Sequence, residues 1–227
     1  MPNVQTYNEM SVEVMQATPY PAELVALAQS ITMNSVASAE IPAFTHKKAK
    51  FLLDAEHASL FEHVVYTFLI QGVSRSFLAQ ITRQRTASPT SGSQHYQSYE
   101  DYPCVIAPNK EGQVKDLYQY LFNTSIEIYK ALLEHGEPRE EARQVLTNAA
   151  AVNYLWTIDA RNLYMFLRMR LCHRNVTEMS TFAEQVLSLV RPHFPELFDN
   201  VGPQCFMDKC KQGFLQCKRG PWKQPSC

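Results

Sequence analysis

Glycine is scarce in this chain, with seven in 227 residues. A fold built on many tight turns would need more, because glycine takes positive φ without steric cost. Neither sign of charge is in excess: 21 Lys and Arg against 22 Asp and Glu leave a formal net charge of -1. That argues against a broad polyanion-binding surface, so no nucleic-acid partner is expected, although a local basic pocket remains open. No apolar run approaches the ~20 residues needed to span a bilayer, and no membrane partner is expected. The opening MPNVQTYNEMSVEVMQ carries neither the basic start nor the apolar core of a secretion signal. Cysteine is sparse before position 205, where Cys104 and Cys172 stand alone, while Cys205, Cys210, Cys217 and Cys227 crowd the end. A reduced, cytoplasmic setting is the expectation.

What is present suffices for a sizeable core, at 45% hydrophobic and 11% aromatic residues. Residues 4 to 16 alternate enough, through Val4, Val12 and Val14, for a strand or two. PAELVALAQSITM opens on Pro21 and repeats apolar residues at helical spacing. THKKAKFLLDAEH reads as a helix capped by Thr45. VVYTFLIQG, β-branched and aromatic and ended by Gly72, reads as a strand, and Ser74 caps the following helix SRSFLAQITRQR. Val114 to His135 is helical, with Leu117, Tyr120, Leu121, Ile128, Leu132 and Leu133 on or near one face. PREEARQVLTNAAAVNYLWTI, DARNLYMFLRMRLCHR and TEMSTFAEQVLSLVRPHF extend the helical pattern. From Pro195 the composition turns to Pro, Gly, Lys and Cys without periodicity. The expected architecture is therefore a mostly helical single α+β domain with a small antiparallel sheet over residues 1–194, followed by a tail over 195–227.

The chemistry concentrates in QITRQRTASPTSGSQHY, residues 80–96. Arg83 and Arg85 close an apolar helical stripe, and a run of Ser and Thr follows. Hydroxyls and freed backbone N–H groups beside two guanidinium forks are suited to holding phosphate. Arg143, Arg161, Arg168 and Arg170 recur on apolar segments, where an arginine is either ion-paired, snorkelling, or part of a concave anionic-ligand site. Glu62 and His63 are adjacent and His57 lies six residues earlier, a spacing that does not put metal ligands on one helix face. The four tail cysteines lack the paired two-residue spacing of zinc ribbons. No metal is expected.

FEHVVYTF, then a helix carrying Gln80, then R-x-R-x-x-S-x-x-x-x-S-x-x-Y resembles the flavin-dependent thymidylate synthases. Arg83, Arg85, Ser88, Ser93 and Tyr96 match that family's signature, and GEPREEARQVL and LWTIDARNLYMFLRMR continue the likeness, which covers about His46 to Phe194. The resemblance implies a homotetramer that binds FAD and reductively methylates dUMP, with methylenetetrahydrofolate giving the carbon and NADPH the reducing equivalents. It implies a nucleotide site of Gln80, Arg83, Ser91, Ser93, His95, Arg143 and Arg170. Arg170 faces the pyrimidine there as the catalytic cation, and His95 faces the phosphate. It implies a flavin site of His57, Ser59, Arg83, Gln84, Arg85, Asp159, Arg161 and Met165.

The chain departs from the family's signature at Gln84 (usually His), Thr90 (Asn), Ser91 (Glu) and His95 (Arg). Asp159 stands where Asn is usual and Met165 where a polar residue is. Two alternatives stay open at this point: one-carbon transfer to another pyrimidine nucleotide such as dCMP, by methylation or hydroxymethylation, and a non-catalytic nucleotide-binding relative.

Overall fold

The computed structural model describes residues 4–34, 43–100, 103–108, 110–207 and 209–217. In chain order the elements are β1 (Val4–Thr6), β2 (Ser11–Ala17), α1 (Pro21–Thr32), α2 (His46–Asp54), β3 (Val65–Ser74), α3 (Arg75–Ile81), β4 (Ser88–Ser91) and β5 (Cys104–Ile106). Then come α4 (Gly112–Glu134), α5 (Arg139–Ala142), β6 (Ala151–Asp159), α6 (Ala160–Arg170), α7 (Thr177–Val190), α8 (Pro195–Phe198) and α9 (Gln204–Met207). The architecture is α+β, mostly helical, with a small antiparallel sheet of strand order β2-β3-β6-β4. A separate pair, β1 with β5, is parallel, with Val4 opposite Cys104 and Thr6 opposite Ile106. No helix among the described residues is long and apolar enough to cross a membrane.

The chain forms two compact units. Unit one holds residues 1–11, 69–85 and 89–155, and unit two holds 12–68, 86–88 and 156–227. Strand β3 therefore begins in unit two and ends in unit one, and β6 runs the other way.

In unit two the core is aromatic. Phe44, Phe61 and Phe194 pack edge-on or tilted with ring centroids 6.0–6.2 Å apart, and Trp156 meets Phe166 at 5.0 Å and Phe182 at 5.8 Å. Each of these side chains is buried, so truncating one to alanine costs roughly 3–5 kcal/mol. Tyr66 and Phe68 alternate with half-buried neighbours along β3, the period-two pattern of a strand. Thr45 and Asp159 cap α2 and α6 by accepting the backbone N–H of Lys48 and Asn162, which satisfies donors that a helix start leaves unpaired.

In unit one, Ser74 accepts the N–H of Phe77 at 3.0 Å and starts α3. Tyr99, Tyr129, Ala142 and Ala150 make one buried cluster, and Cys104, Ile106 and Phe122 another. Gly72 does not end its strand. It lies inside β3 at φ +71, a left-handed conformation that glycine adopts without strain.

Three expectations need correction. The stretch from Pro138 to Ile158 is not one helix: α5 stops at Ala142, and Ala151–Asp159 is strand β6. Val152, Tyr154, Trp156 and Ile158 bury one face of it while Asn153 and Leu155 are exposed, an alternation hidden by neighbouring apolar residues on both faces. The apolar face expected on α4 is not its buried face. Phe122, Ile126 and Tyr129 are buried, whereas Leu117, Tyr120, Leu121 and Ile128 are exposed. The region beyond Pro195 is not uniformly irregular, since α8 forms at once and buries Leu197 and Phe198, with Val201 buried just after it. Cys227 lies outside the described residues.

Candidate active site

Helix α3 ends at Ile81, earlier than its sequence pattern suggests, and the chain leaves it through turns at Arg83 and Gln84. Ending there places Arg83 and Arg85 beyond the last helical turn, both exposed. Their guanidinium groups have no hydrogen-bonding partner among the described residues. Gln80 is half-buried in the last turn of α3, and Ser91 is exposed at the end of β4.

The next residues are held firmly. Gly92 donates its N–H to the carbonyl of Asn153 at 3.0 Å, and its own carbonyl accepts Nη1 of Arg75 at 3.1 Å. A Cβ at Gly92 would meet Oε1 of Gln97 at 3.0 Å, so the backbone approaches closely because no side chain intervenes. Ser93 then makes a turn: its hydroxyl accepts the N–H of His95 at 3.2 Å, and its carbonyl accepts those of Tyr96 and Gln97.

This turn docks on α5. Nδ1 of His95 lies 3.6 Å from Oε2 of Glu140, an ion pair when the imidazole is protonated. Arg139 reaches the carbonyl of Tyr96 at 3.4 Å, and Nε of Arg143 donates to the carbonyl of Glu140 at 2.9 Å. His95 thus meets the carboxylate of Glu140, an acidic neighbour that residue spacing did not reveal, while Arg143 holds the backbone carbonyl of the same residue. No hydrogen bond joins Arg83 or Arg85 to this group.

In unit two, α6 carries the second set. Asp159 caps the helix with both oxygens: Oδ1 accepts the N–H of Asn162 at 2.9 Å and Oδ2 accepts its side-chain amide at 2.6 Å. Arg161 pairs with Glu62, a residue 99 positions away. His57 and Ser59 are exposed at the start of the short 3-10 segment Ala58–His63, and Met165 is 47% exposed on α6.

Arg170 closes α6. It is half-buried, and burial holds its guanidinium below the ordinary value. Its Cζ lies 5.8 Å from the centroid of the Phe166 ring, and Nη1 donates to Oδ1 of Asn175 at 3.3 Å. Its Nε is buried without a partner, and no carboxylate pairs with the side chain among the described residues. A buried donor left unpaired costs about 1–3 kcal/mol, a cost expected where a ligand is to complete the bonding.

Asn175 is the residue that sequence reasoning missed. Its Nδ2 donates to the carbonyls of Met169 at 2.8 Å, Cys172 at 3.1 Å and Arg170 at 3.2 Å, while Oδ1 holds the arginine. One amide therefore closes the helix end and aims its last cation. The available signal was an amide side chain a few residues beyond a helix whose last turn carries two arginines.

Comparison with known proteins settles the family. Residues 13–196 match the family model described as "Thymidylate synthase complementing protein". The chain belongs to the flavin-dependent thymidylate synthase family. It is 31% identical to the flavin-dependent thymidylate synthase of Geobacter sulfurreducens over 221 residues, covering 92% of this chain and 94% of that one. Against the enzyme of the same name from Nitratidesulfovibrio vulgaris it is 34% identical over 240 residues, covering 95% and 97%.

The fold agrees with that membership. A UMP/dUMP methylase, PolB, from Streptomyces cacaoi, bound with 5-Br dUMP, superposes with a TM-score of 0.74 at 21% identity, over 86% of this chain and 96% of that one. Thymidylate Synthase X from Helicobacter pylori, solved with FAD and dUMP, superposes with a TM-score of 0.68 at 20% identity, over 84% and 97%.

Proposed function

We propose that this enzyme methylates dUMP to dTMP reductively, with FAD as its bound cofactor, methylenetetrahydrofolate as carbon donor and NADPH as reductant. The observation that carries the reading is Arg170: a half-buried cation with an unpaired Nε, aimed by Asn175, on the helix that also carries Arg161 and Met165.

The residues present suit a flavin dinucleotide. Arg83 and Arg85 hold free guanidinium forks for its pyrophosphate. Arg161 with Glu62, His57, Ser59, Gln84 and the exposed thioether of Met165 complete the set, while Asp159 contributes through the helix that it starts. When bound, FAD supplies the hydride that reduces the transferred carbon to a methyl group.

The remaining roles fall to the chain's own groups. Gln80, Arg83, Ser91, Ser93, His95 and Arg143 bind the nucleotide, with hydroxyls and cations on its phosphate. Arg170 stabilises negative charge at ring nitrogen 3, which raises electron density at carbon 5 and readies that carbon to attack the one-carbon unit. The activation assigned to Arg170 is electrostatic, which suits a signature segment, residues 80–96, that holds no cysteine. Residues 1–194 constitute the catalytic part in this reading, and the setting is cytoplasmic. The exposed apolar stripe Val114, Leu117, Leu121 and Ile128 on α4 supports assembly, here a homotetramer.

The test is direct. Purified protein that takes up FAD, given methylenetetrahydrofolate, NADPH and dUMP, yields a nucleotide one methyl group heavier by mass. Parallel incubations with dCMP and UMP identify the base and the sugar. Methylation of dCMP alone would replace dUMP in this reading. FAD uptake with no product from any nucleotide would leave only a binding protein.

A further inference from the structure

Unit one holds a cavity of about 400 Å³ beside the signature loop, lined by none of the residues assigned above. Its walls are the side of α3 that presents Arg75 and Leu78, the loop residue Gln94, and Leu146, Thr147 and Asn148 ahead of β6. Hydrogen bonds tie the three walls together. The backbone N–H groups of Arg75 and Ser76 donate to the carbonyls of Ala150 and Asn148 at 3.1 and 3.0 Å, and Nη1 of Arg75 donates to the carbonyl of Gly92 at 3.1 Å. Gly92 itself donates to the carbonyl of Asn153 at 3.0 Å, so the loop is anchored on both sides of one residue. The concavity is built into the fold, as ligand pockets usually are. Because the N–H groups at the start of α3 are already spent on carbonyls, any ligand chemistry here belongs to side chains.

The charge of the cavity has one sign. Arg75 is half-buried, and among the described residues it forms no ion pair and no carboxylate lines the space. Its bond to Gly92 leaves other guanidinium N–H donors unspent. The side chains of Gln94, Thr147 and Asn148 also make no hydrogen bond among the described residues. A guanidinium fork, two amides and a hydroxyl therefore line one space with donors to give. That set suits an oxyanion, since the fork matches two oxygens of a phosphate or carboxylate and neutral donors complete the shell. An arginine that only pinned the loop would need its bond to Gly92 and none of these neighbours. The volume lies at the small end of ligand pockets, which run about 300–1,000 Å³, so it admits the anionic end of a ligand rather than a whole dinucleotide.

We propose that Arg75, Gln94, Thr147 and Asn148 form a subsite for the anionic end of a co-substrate, either a phosphate of NADPH or a glutamate carboxylate of methylenetetrahydrofolate. The inference rests on the proposed reaction, which needs both molecules and draws its nucleotide and flavin residues from other positions. Gln94 stands between Ser93 and His95, so the subsite adjoins the loop that holds the nucleotide in that reading.

The experiment titrates NADP+ and methylenetetrahydrofolate separately into the full-length protein supplied with FAD, and reads each affinity by equilibrium dialysis. A dUMP titration runs beside them. Arg75→Gln removes the charge, and Arg75→Lys keeps it without the fork. Asn148→Ala and Gln94→Ala each remove a donor while leaving the bond from Arg75 to Gly92 in place. Arg75→Gln should weaken one co-substrate by roughly tenfold to a hundredfold, the scale of one charge-assisted hydrogen bond. Arg75→Lys should recover part of that loss, and Asn148→Ala should weaken the same co-substrate several-fold with dUMP affinity unchanged. A loss for NADP+ identifies the oxyanion as a phosphate, and a loss for methylenetetrahydrofolate identifies it as a carboxylate. Unchanged affinity for both co-substrates in Arg75→Gln and Asn148→Ala overturns the proposal, as does a loss confined to dUMP, which would reduce Arg75 to a pin for the loop. Product formation by the parent protein separates the two levels of failure. If the parent methylates dUMP while the variants bind both co-substrates normally, the subsite alone is wrong. If the parent makes no product and binds neither co-substrate, the proposed reaction fails and the subsite falls with it.

Discussion

Replacing Arg170 with alanine should separate turnover from stability. Among the described residues this side chain makes one hydrogen bond, to Asn175, and one cation–π contact, over Phe166. A hydrogen bond to a charged group contributes about 1.5–3 kcal/mol, and a partly exposed cation–π contact about 0.5–1 kcal/mol. Against these, the buried Nε lacks a partner, and relieving that donor returns about 1–3 kcal/mol. The net change in folding stability is therefore small, about 1 kcal/mol of destabilisation at the middle of these ranges, which lowers Tm by roughly 2–4 °C in a protein of this size. The catalytic loss should be far larger. Removing one preorganised donor to developing charge lowers kcat by about 10²–10³, or about 2.7–4 kcal/mol.

The assay pairs thermal unfolding with steady-state methylation of dUMP, and with dUMP affinity measured by equilibrium binding. Arg170→Lys is the informative companion, because it keeps the charge and loses the planar fork. It should recover only part of the rate. A fall in Tm of more than about 10 °C with a parallel loss of bound nucleotide would refute the reasoning, since Arg170 would then be a structural residue. So would Arg170→Ala with kcat intact.

Other consequences concern different parts of the molecule. His95→Ala should weaken dUMP binding while sparing kcat; lost turnover at unchanged affinity would instead mark a proton-transfer group. Leu121→Asp on the exposed stripe of α4 should convert an assembly of four times 26.0 kDa into smaller species by light scattering, and an unchanged mass would exclude that face from the interface. His193 donates or accepts a hydrogen bond with the Tyr66 hydroxyl at 3.0 Å, and burial lowers its pKa. The folded state thus binds fewer protons there than the unfolded chain. Its contribution to stability is present above about pH 6.5 and lost as pH falls below that through the lower folded value. Urea midpoints at pH 7.5 and 5.5 should differ less in His193→Gln than in the parent protein, and an equal difference would assign the acid sensitivity elsewhere.

Local chemistry made much of this molecule legible from residues alone. Thr45 and Ser74 announce helix starts because a short hydroxyl can take an N–H that the helix itself leaves unpaired. The β-branched and aromatic run VVYTFLIQG marks β3, since such side chains suit a half-buried pleated surface. The spacing of Arg83, Arg85, Ser88, Ser93 and Tyr96 carried the resemblance to the family before any coordinates. Where both helix and strand accept a run of apolar residues, as from Ala149 to Trp156, the residues alone did not decide between them. Pairing of β6 within the sheet did.

What sequence determined by itself was therefore the capping, the periodic elements, the signature loop and the family. Tertiary structure decided which groups meet. Glu62 reaches Arg161 across 99 positions, and Glu140 meets His95 from the signature loop. Asn175 reaches back to aim Arg170, and four of the apolar residues that patterning placed on or near one face of α4, Leu117, Tyr120, Leu121 and Ile128, are left exposed. The reason is physical: capping and periodicity depend on neighbours within a turn or two, whereas ion pairs and burial depend on where distant segments come to rest.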